Sequence, residues 1–284
     1  MPELFRLENI SYRYPDGSTG LDQCSLSIER GSRSVVMGAN GAGKTTLFLQ
    51  LNGILRPTTG RVCFNGCPLD YSRNGLRQLR SKVGLLFQNP DNQLLSASVQ
   101  EDVSFGPLNL GLEDAEVRAR ISSSLEAVGM SDYAEKPVQA LSYGQKKRVC
   151  IAGLLAMDPE VLILDEPMAG LDLAMKQELE QILNALHQRG MTIILSSHDS
   201  DFVYRWSDQI LLISGGRCSD TFQTEQLPDA IDRLSEQALG IPSVISAYQA
   251  LIAQQLIPAA SPPPRSIKEL TALIKQLPLP ARST

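Results

Sequence analysis

Val35-Val36-Met37-Gly38-Ala39-Asn40-Gly41-Ala42-Gly43-Lys44-Thr45-Thr46 is the stretch on which the reading of this chain turns. Three apolar residues stop at a glycine, as a buried strand does. Gly38, Gly41 and Gly43 let the backbone curl so that successive N–H groups point inward, a cradle for phosphate oxygens. A helix begins near Lys44 and aims its positive N-terminal end at the same place. Gly38 to Thr45 carries the full P-loop spacing. With it, Lys44 would reach β- and γ-phosphates and the Thr45 hydroxyl would ligate Mg²⁺, while Asn40, Gly41, Ala42, Gly43 and Thr46 complete the cradle. The alternative is a glycine-rich turn with no ligand, which a full pattern set between strand and helix argues against. This stretch says nucleoside triphosphate and does not say which enzyme.

Val161-Leu162-Ile163-Leu164-Asp165-Glu166 supplies the counterpart. Four apolar residues bury a strand, and two carboxylates emerge at its C-terminal end, where ligands bind in open α/β sheets. Asp165 is expected to hold Mg²⁺ through water, and Glu166 to orient and polarise an attacking water. Other apolar runs are Val83-Gly84-Leu85-Leu86-Phe87, Thr192-Ile193-Ile194-Leu195 and Ile210-Leu211-Leu212-Ile213. They are interspersed with helical stretches at about 113–128, 145–157 and 174–188 and near Asp201. Continuous apolar strands alternating with amphipathic helices predict an α/β domain with a largely parallel sheet. Residues 4–37 read as strands around a Pro15-Asp16-Gly17 turn. The helix from Lys44 is expected to end before Pro57, with a strand at Arg61-Val62-Cys63-Phe64 beyond it. Residues 89–155 read as a mainly helical second lobe.

The character changes after about residue 222, where Pro228 and Pro242 punctuate the chain. Ile241, Val244, Ile245, Tyr248, Leu251 and Ile252 share one helical face. Ser261-Pro262-Pro263-Pro264 reads as a stiff linker, and Ser266 with Glu269 as a capping box opening a helix to about Gln276. The formal net charge of −5, with both signs interspersed, argues against a nucleic-acid partner. No uncharged apolar run is long enough to cross a bilayer, and the first residues do not resemble a signal peptide. A cytoplasmic protein is expected, held at any membrane by another subunit. Five cysteines at irregular spacing make a disulfide framework unexpected. Cys63 and Cys67 look like half a metal site with no second pair of ligands.

Leu141-Ser142-Tyr143-Gly144-Gln145 precedes Asp165-Glu166 at the spacing of the ABC signature, and here the chain resembles the ABC ATPases. Ser142 is a good N-cap, Gly144 permits close approach, and the helix end favours an anion. The resemblance implies that Ser142, Gly144 and Gln145 face the γ-phosphate held by another copy's P-loop. It also makes Gln88 the glutamine that approaches Mg²⁺ and the attacking water. Ala169-Gly170-Leu171-Asp172 would be the loop that crosses a dimer interface. His198 would contact the γ-phosphate. Tyr14 matches the aromatic that stacks on adenine, although Tyr12 lies on the same strand face and periodicity alone cannot choose between them. Met168, Leu173 and Cys150 stand where Thr, Pro and Ala are usual; none of the three removes a catalytic group.

The implied fold is a P-loop NTPase of ABC ATPase type: a RecA-like core, an antiparallel β subdomain, a helical subdomain and a C-terminal extension. The ATPase domain would span 1–222, with its helical subdomain at about 89–155. Residues 223–284 would be the extension, able to seal a dimer or to pack on their own core. Phe87 to Leu94 and Glu101 to Gly111 resemble the energy-coupling-factor importers, and Gln145 to Met157 resembles their cobalt/nickel ATPases. The vitamin-importing ATPases of the group usually carry Gly where Tyr143 stands. Implied partners are a second identical or similar ATPase, an integral membrane coupling protein and a substrate-binding membrane subunit. They would place the chain peripherally on the cytoplasmic face of the cell membrane, using ATP and Mg²⁺. Coupling helices would enter a groove between the lobes, lined by Asp91 and residues 93–105.

Overall fold

In the computed structural model, residues 2–236, 239–258 and 261–275 are described. Two sheets lie side by side. The first runs β2 (Thr19–Glu29), β1 (Glu3–Arg13), β4 (Thr59–Phe64), β5 (Cys67–Pro68) and is antiparallel throughout. The second runs β10 (Arg217–Gln223), β9 (Gln209–Ser214), β3 (Arg33–Met37), β8 (Thr192–Ser196), β7 (Val161–Leu164), β6 (Val83–Leu86). It is parallel from β9 to β6, with β10 returning antiparallel at its edge.

The parallel strands are buried on both faces, which is why they read as unbroken apolar runs. Val35 and Met37 enter one core cluster, while Val36 enters the other. Leu162 and Leu164 likewise part from Val161 and Ile163. One cluster fills the space between the two sheets around α1 (Lys44–Leu51). The other lies under the helices α3 (Val99–Leu110), α4 (Asp114–Ala127), α5 (Tyr143–Leu155), α6 (Leu173–Gln188) and α7 (Ser200–Trp206). Each fully buried aliphatic side chain contributes about 1.5–3 kcal/mol, so the central strands anchor both clusters.

The remaining helices depart most from expectation. α2 (Arg73–Lys82) fully buries only Leu79 and half-buries Leu76 among polar residues, too few apolar side chains to announce a stripe. α1, by contrast, ends at Leu51, before Pro57 as expected, and the chain turns at Gly53 with φ 69°. α5 starts at Tyr143, two residues before the expected start, because Ser142 and Gln145 cap each other.

α8 (Ile231–Glu236), α9 (Ser243–Ala253) and α10 (Ile267–Lys275) follow residue 222. Leu234, Ile245, Tyr248 and Leu270 bury into the helical-side cluster rather than into a separate core. Arg265 fastens this segment: its guanidinium donates to the carbonyls of Tyr204 (3.0 Å) and Ser207 and to Glu225 (2.7 Å). Ser266 caps α10 by accepting from the Glu269 N–H at 3.2 Å; the expected end near Gln276 lies outside the described residues.

The cysteines require a correction. Cys24 on β2 and Cys218 on β10 form a disulfide, with Cα atoms 4.8 Å apart. It joins the two sheets, and its 194-residue separation hid it from a spacing argument. Cys63 is buried, Cys67 is exposed, and neither is bonded.

Candidate functional site: a cleft between two sheets

The C-terminal ends of β3, β6, β7 and β8 converge on one cleft of about 600 Å³. Its walls carry Tyr14, Asn40, Gly41, Ala42, Gly43, Lys44, Thr45, Thr46, Gln88, Asp165 and Glu166. Eleven of the expected site residues thus meet in one place. The loop between β3 and α1 needs its glycines. Gly43 sits at φ 112°, and a Cβ there would stand 2.7 Å from the Gly20 carbonyl. Any larger residue would push β2 off the loop.

Lys44 is buried, and its Nζ donates to the carbonyls of Gly38 (2.7 Å) and Ala39 (3.2 Å). It also lies 3.8 Å from Glu166 Oε1. The Thr45 hydroxyl donates to Asp165 Oδ2 at 2.6 Å, joining the first turn of α1 to the end of β7. Ser196, at the end of β8, completes a bracket that sequence reasoning missed. Its hydroxyl donates to Asp165 Oδ1 at 2.7 Å and accepts from the Glu166 N–H at 2.7 Å. A small polar residue closing an apolar strand two positions before His198 was the available signal.

Glu166 sits at φ 45°, a left-handed conformation that costs a non-glycine residue about 1–3 kcal/mol and collects at functional positions. Its Oε1 is buried without a hydrogen-bond partner, while Oε2 lies 3.2 Å from His198 Nδ1. The His198 side chain is 72% exposed, so the imidazole can reach beyond the chain's own surface.

Tyr14, just past the end of β1, lines the cleft, and its hydroxyl is 2.8 Å from Thr46 Oγ1. Tyr12 packs edge-on against Tyr14 at 5.0 Å and leans on the inter-sheet core instead. The structure thereby separates two tyrosines that strand periodicity left equivalent.

Ser142, Gly144 and Gln145 are not among the residues lining the cleft. Ser142 Oγ accepts from the Gln145 N–H (3.3 Å), and Gln145 Oε1 accepts from the Ser142 N–H (2.9 Å), forming a capping box. A Cβ on Gly144 would stand 2.7 Å from Met175 Sδ, so its missing side chain also serves packing within the chain. Lys147, one turn on, was missed altogether. Its buried amine donates to the carbonyls of Pro167 and Ala169, each at 2.8 Å. Desolvation there pushes the ammonium down to about 8.

A second concavity, about 940 Å³, opens between α2, β6, α3 and α5. Arg73, Arg77, Phe87, Gln93, Asp102, Phe105 and Met157 line it. Asp91, expected there, does not; it pairs with Lys146 at 2.7 Å. A short 3-10 turn over Pro90–Asn92, capped by Asn89, turns Asp91 toward α5. Among the described residues, no helix is long and apolar enough to cross a membrane.

Comparison with known proteins places this geometry. The family pattern described as ABC transporter matches residues 21–169. The energy-coupling factor transporter ATP-binding protein EcfA of Methanosphaera stadtmanae is 47% identical over 238 residues, 82% of this chain and 86% of that protein. A putative ABC transporter ATP-binding protein of Methanothermobacter marburgensis is 44% identical over 92% of this chain and 94% of its own. Among solved structures, cbiO1 from Clostridium perfringens, part of the ABC transporter complex cbiONQ, superposes with a TM-score of 0.75 at 40% identity. That match covers 88% of this chain and all of cbiO1. A dimeric ATP-binding cassette in a post-hydrolysis state with ADP and Pi superposes at 0.71 with 26% identity, over 78% of this chain and 99% of its own. The chain belongs to the ABC transporter ATP-binding proteins, in their energy-coupling-factor group, and is an ABC ATPase.

Proposed function

We propose that this chain is the ATP-hydrolysing subunit of an importer for cobalt or nickel ions, working in pairs at the cytoplasmic face of the membrane. Glu166 carries the catalytic reading. One of its carboxylate oxygens is within reach of His198, the other faces Lys44, and its backbone is held in a strained conformation.

Tyr14 stacks on adenine. Lys44 exchanges its two loop carbonyls for β- and γ-phosphate oxygens, with the backbone of Asn40 to Thr46 around them. Thr45 and Asp165 suit Mg²⁺: their oxygens, 2.6 Å apart, are hard donors at the phosphate end of the cleft. Bound there, the ion would offset charge developing on the transferred phosphoryl group. Glu166 takes a proton from water as the water oxygen bonds to the γ-phosphorus and the bond to ADP breaks. Gln88 orients that water, and His198 holds the γ-phosphate.

Ser142, Gly144 and Gln145 act on the nucleotide of a second copy. Their absence from the lining of their own cleft, and their place at the N-terminus of a 13-residue helix, support this division. Ser243 and Arg265 hold the described part of the C-terminal segment against Asp201 and Tyr204 of α7, and residues 223–284 contribute to the pairing surface.

Closure of the pair moves the lobes against helices of a membrane coupling protein seated between α2 and α3. That groove has room for about two turns of α-helix. The cobalt or nickel cargo rests on Gln145 to Met157 and on the 40% identity to cbiO1. The cargo itself is held by a separate membrane subunit.

Glu166→Gln should keep ATP binding and lower turnover by about a hundredfold or more. Wild-type turnover in that variant would remove Glu166 from its role. The full transporter in liposomes should take up cobalt or nickel when ATP is supplied. Uptake of a vitamin alone would overturn the cargo and leave the ATPase standing.

A further inference from the structure

Tyr143 is the first residue of α5, yet its side chain touches two other loops of the site. Its hydroxyl donates to the Gln88 carbonyl at 3.2 Å, across 55 residues. Its ring lies over Gly170: a Cβ there would stand 3.0 Å from Tyr143 Cε1. Gly170 has φ 75°, so glycine is favoured at that position both by backbone and by ring. The Lys147 ammonium sits 5.0 Å from the ring centroid while donating to the carbonyls of Pro167 and Ala169. Burial and the nearby Asp91 carboxylate raise the phenol above its usual range, keeping it a donor.

Gln88 and Glu166 leave the ends of β6 and β7, which are neighbouring parallel strands. Tyr143 therefore spans the two exits from one point on α5. Glycine at 143 would have no side chain to make either contact.

We infer that Tyr143 is a positioning residue for hydrolysis, fixing the Gln88 peptide and the Gly170 turn to the signature helix so that Gln88 presents its carboxamide to the cleft. This inference rests on the reading of Gln88 as the residue that orients water. Tyr143 does not line its own chain's cleft; it acts through Gln88, whose backbone it holds at the edge of the cleft. The ring sets the distance between the two loops, and the hydroxyl sets the orientation of the Gln88 peptide plane.

The test is a double-mutant cycle on the full-length chain, with kcat and KM for ATP measured at saturating Mg²⁺. Tyr143→Phe keeps the ring on Gly170 and removes the hydroxyl. It should lower kcat about fivefold, the worth of one neutral hydrogen bond, with KM unchanged and the thermal midpoint within about two degrees of wild type. In a Gln88→Ala background, the same change should do nothing further, because the two residues act as a unit. The inference is overturned if Tyr143→Phe leaves kcat intact, or if its loss adds in full to that of Gln88→Ala. It is also overturned if KM and thermal midpoint shift along with kcat, which marks a general packing role. If Gln88→Ala alone turns over at the wild-type rate, the reading of Gln88 fails, and this inference fails with it.

Discussion

Lys147 places a buried amine among the carbonyls of Glu166, Pro167 and Ala169. Burial is the first cause of its lowered proton affinity, and the Glu166 charge opposes it. The sign follows from proton counting. Between about 8 and the ordinary lysine value of 10.5, the unfolded chain holds this proton and the folded chain does not. This group's contribution to stability therefore rises with pH across that window, by up to about 1.4 kcal/mol per pH unit. Cys150, Tyr71 and Tyr204, each pushed up to about 12 by burial, act oppositely above their ordinary values. The difference between wild type and Lys147→Met isolates the lysine. Urea unfolding from pH 7.5 to 10 should show the wild type gaining on the variant, and parallel profiles would show that Lys147 keeps an ordinary pKa. In the run Lys146-Lys147-Arg148, nothing local marks the middle residue as buried, since its acceptors lie about twenty residues away. The meeting of Lys44, Thr45, Asp165 and Glu166 in one cleft was legible because the P-loop spacing and the apolar run before Asp165 place them at the ends of parallel strands.

The strand β2 and the hairpin β9–β10 meet beside the phosphate loop. The Gly216 N–H donates to the Ala42 carbonyl, and the Asp22 N–H donates to the Gly216 carbonyl. Two residues further along each strand, the Cys24–Cys218 bond ties the antiparallel sheet to the edge of the parallel one. A single bridge of this kind contributes about 2–4 kcal/mol. Alkylation at lysis, followed by denaturation, should trap three thiols without reductant and five with it. Five thiols without reductant would mean that the bridge is absent in the cell. A bridged chain should also melt at a lower temperature once reduced. The elements differ in legibility for a physical reason. β3, β7 and β8 are buried on both faces, and local composition reports that directly. α2 and β10 are partly exposed edge pieces whose places are set by tertiary contacts, so composition reports little. The disulfide is the extreme case, a contact between residues that have only the folded sheets in common.

For the assembly, the proposal of a composite site assigns the open side of the cleft to a second copy. Lys44 and Glu166 face the cleft, His198 projects outward, and Ser142 caps a helix elsewhere on the same chain. A symmetric pair that exchanges these surfaces makes two composite sites, each with Lys44 from one copy and Ser142 from the other. Mixing two dead variants tests this directly. Lys44→Ala ruins the phosphate loop of its own chain, and Ser142→Arg ruins the signature it offers to its neighbour. Each variant alone assembles two broken sites. In a mixed pair both lesions fall in one site, because the damaged loop meets the damaged signature, and the other site is intact. Random pairing makes half of the dimers mixed, each with one working site, so the equimolar mixture should recover about a quarter of the wild-type rate if the sites act independently. Strict coupling between the sites would lower that figure, and covalently linked mixed pairs would then show it as a rate below half of the wild type. Linked pairs that are inactive with the two lesions on different chains, yet work at about half the wild-type rate with both lesions on one chain, would mean that Ser142 serves the same chain's nucleotide and that the composite site is wrong.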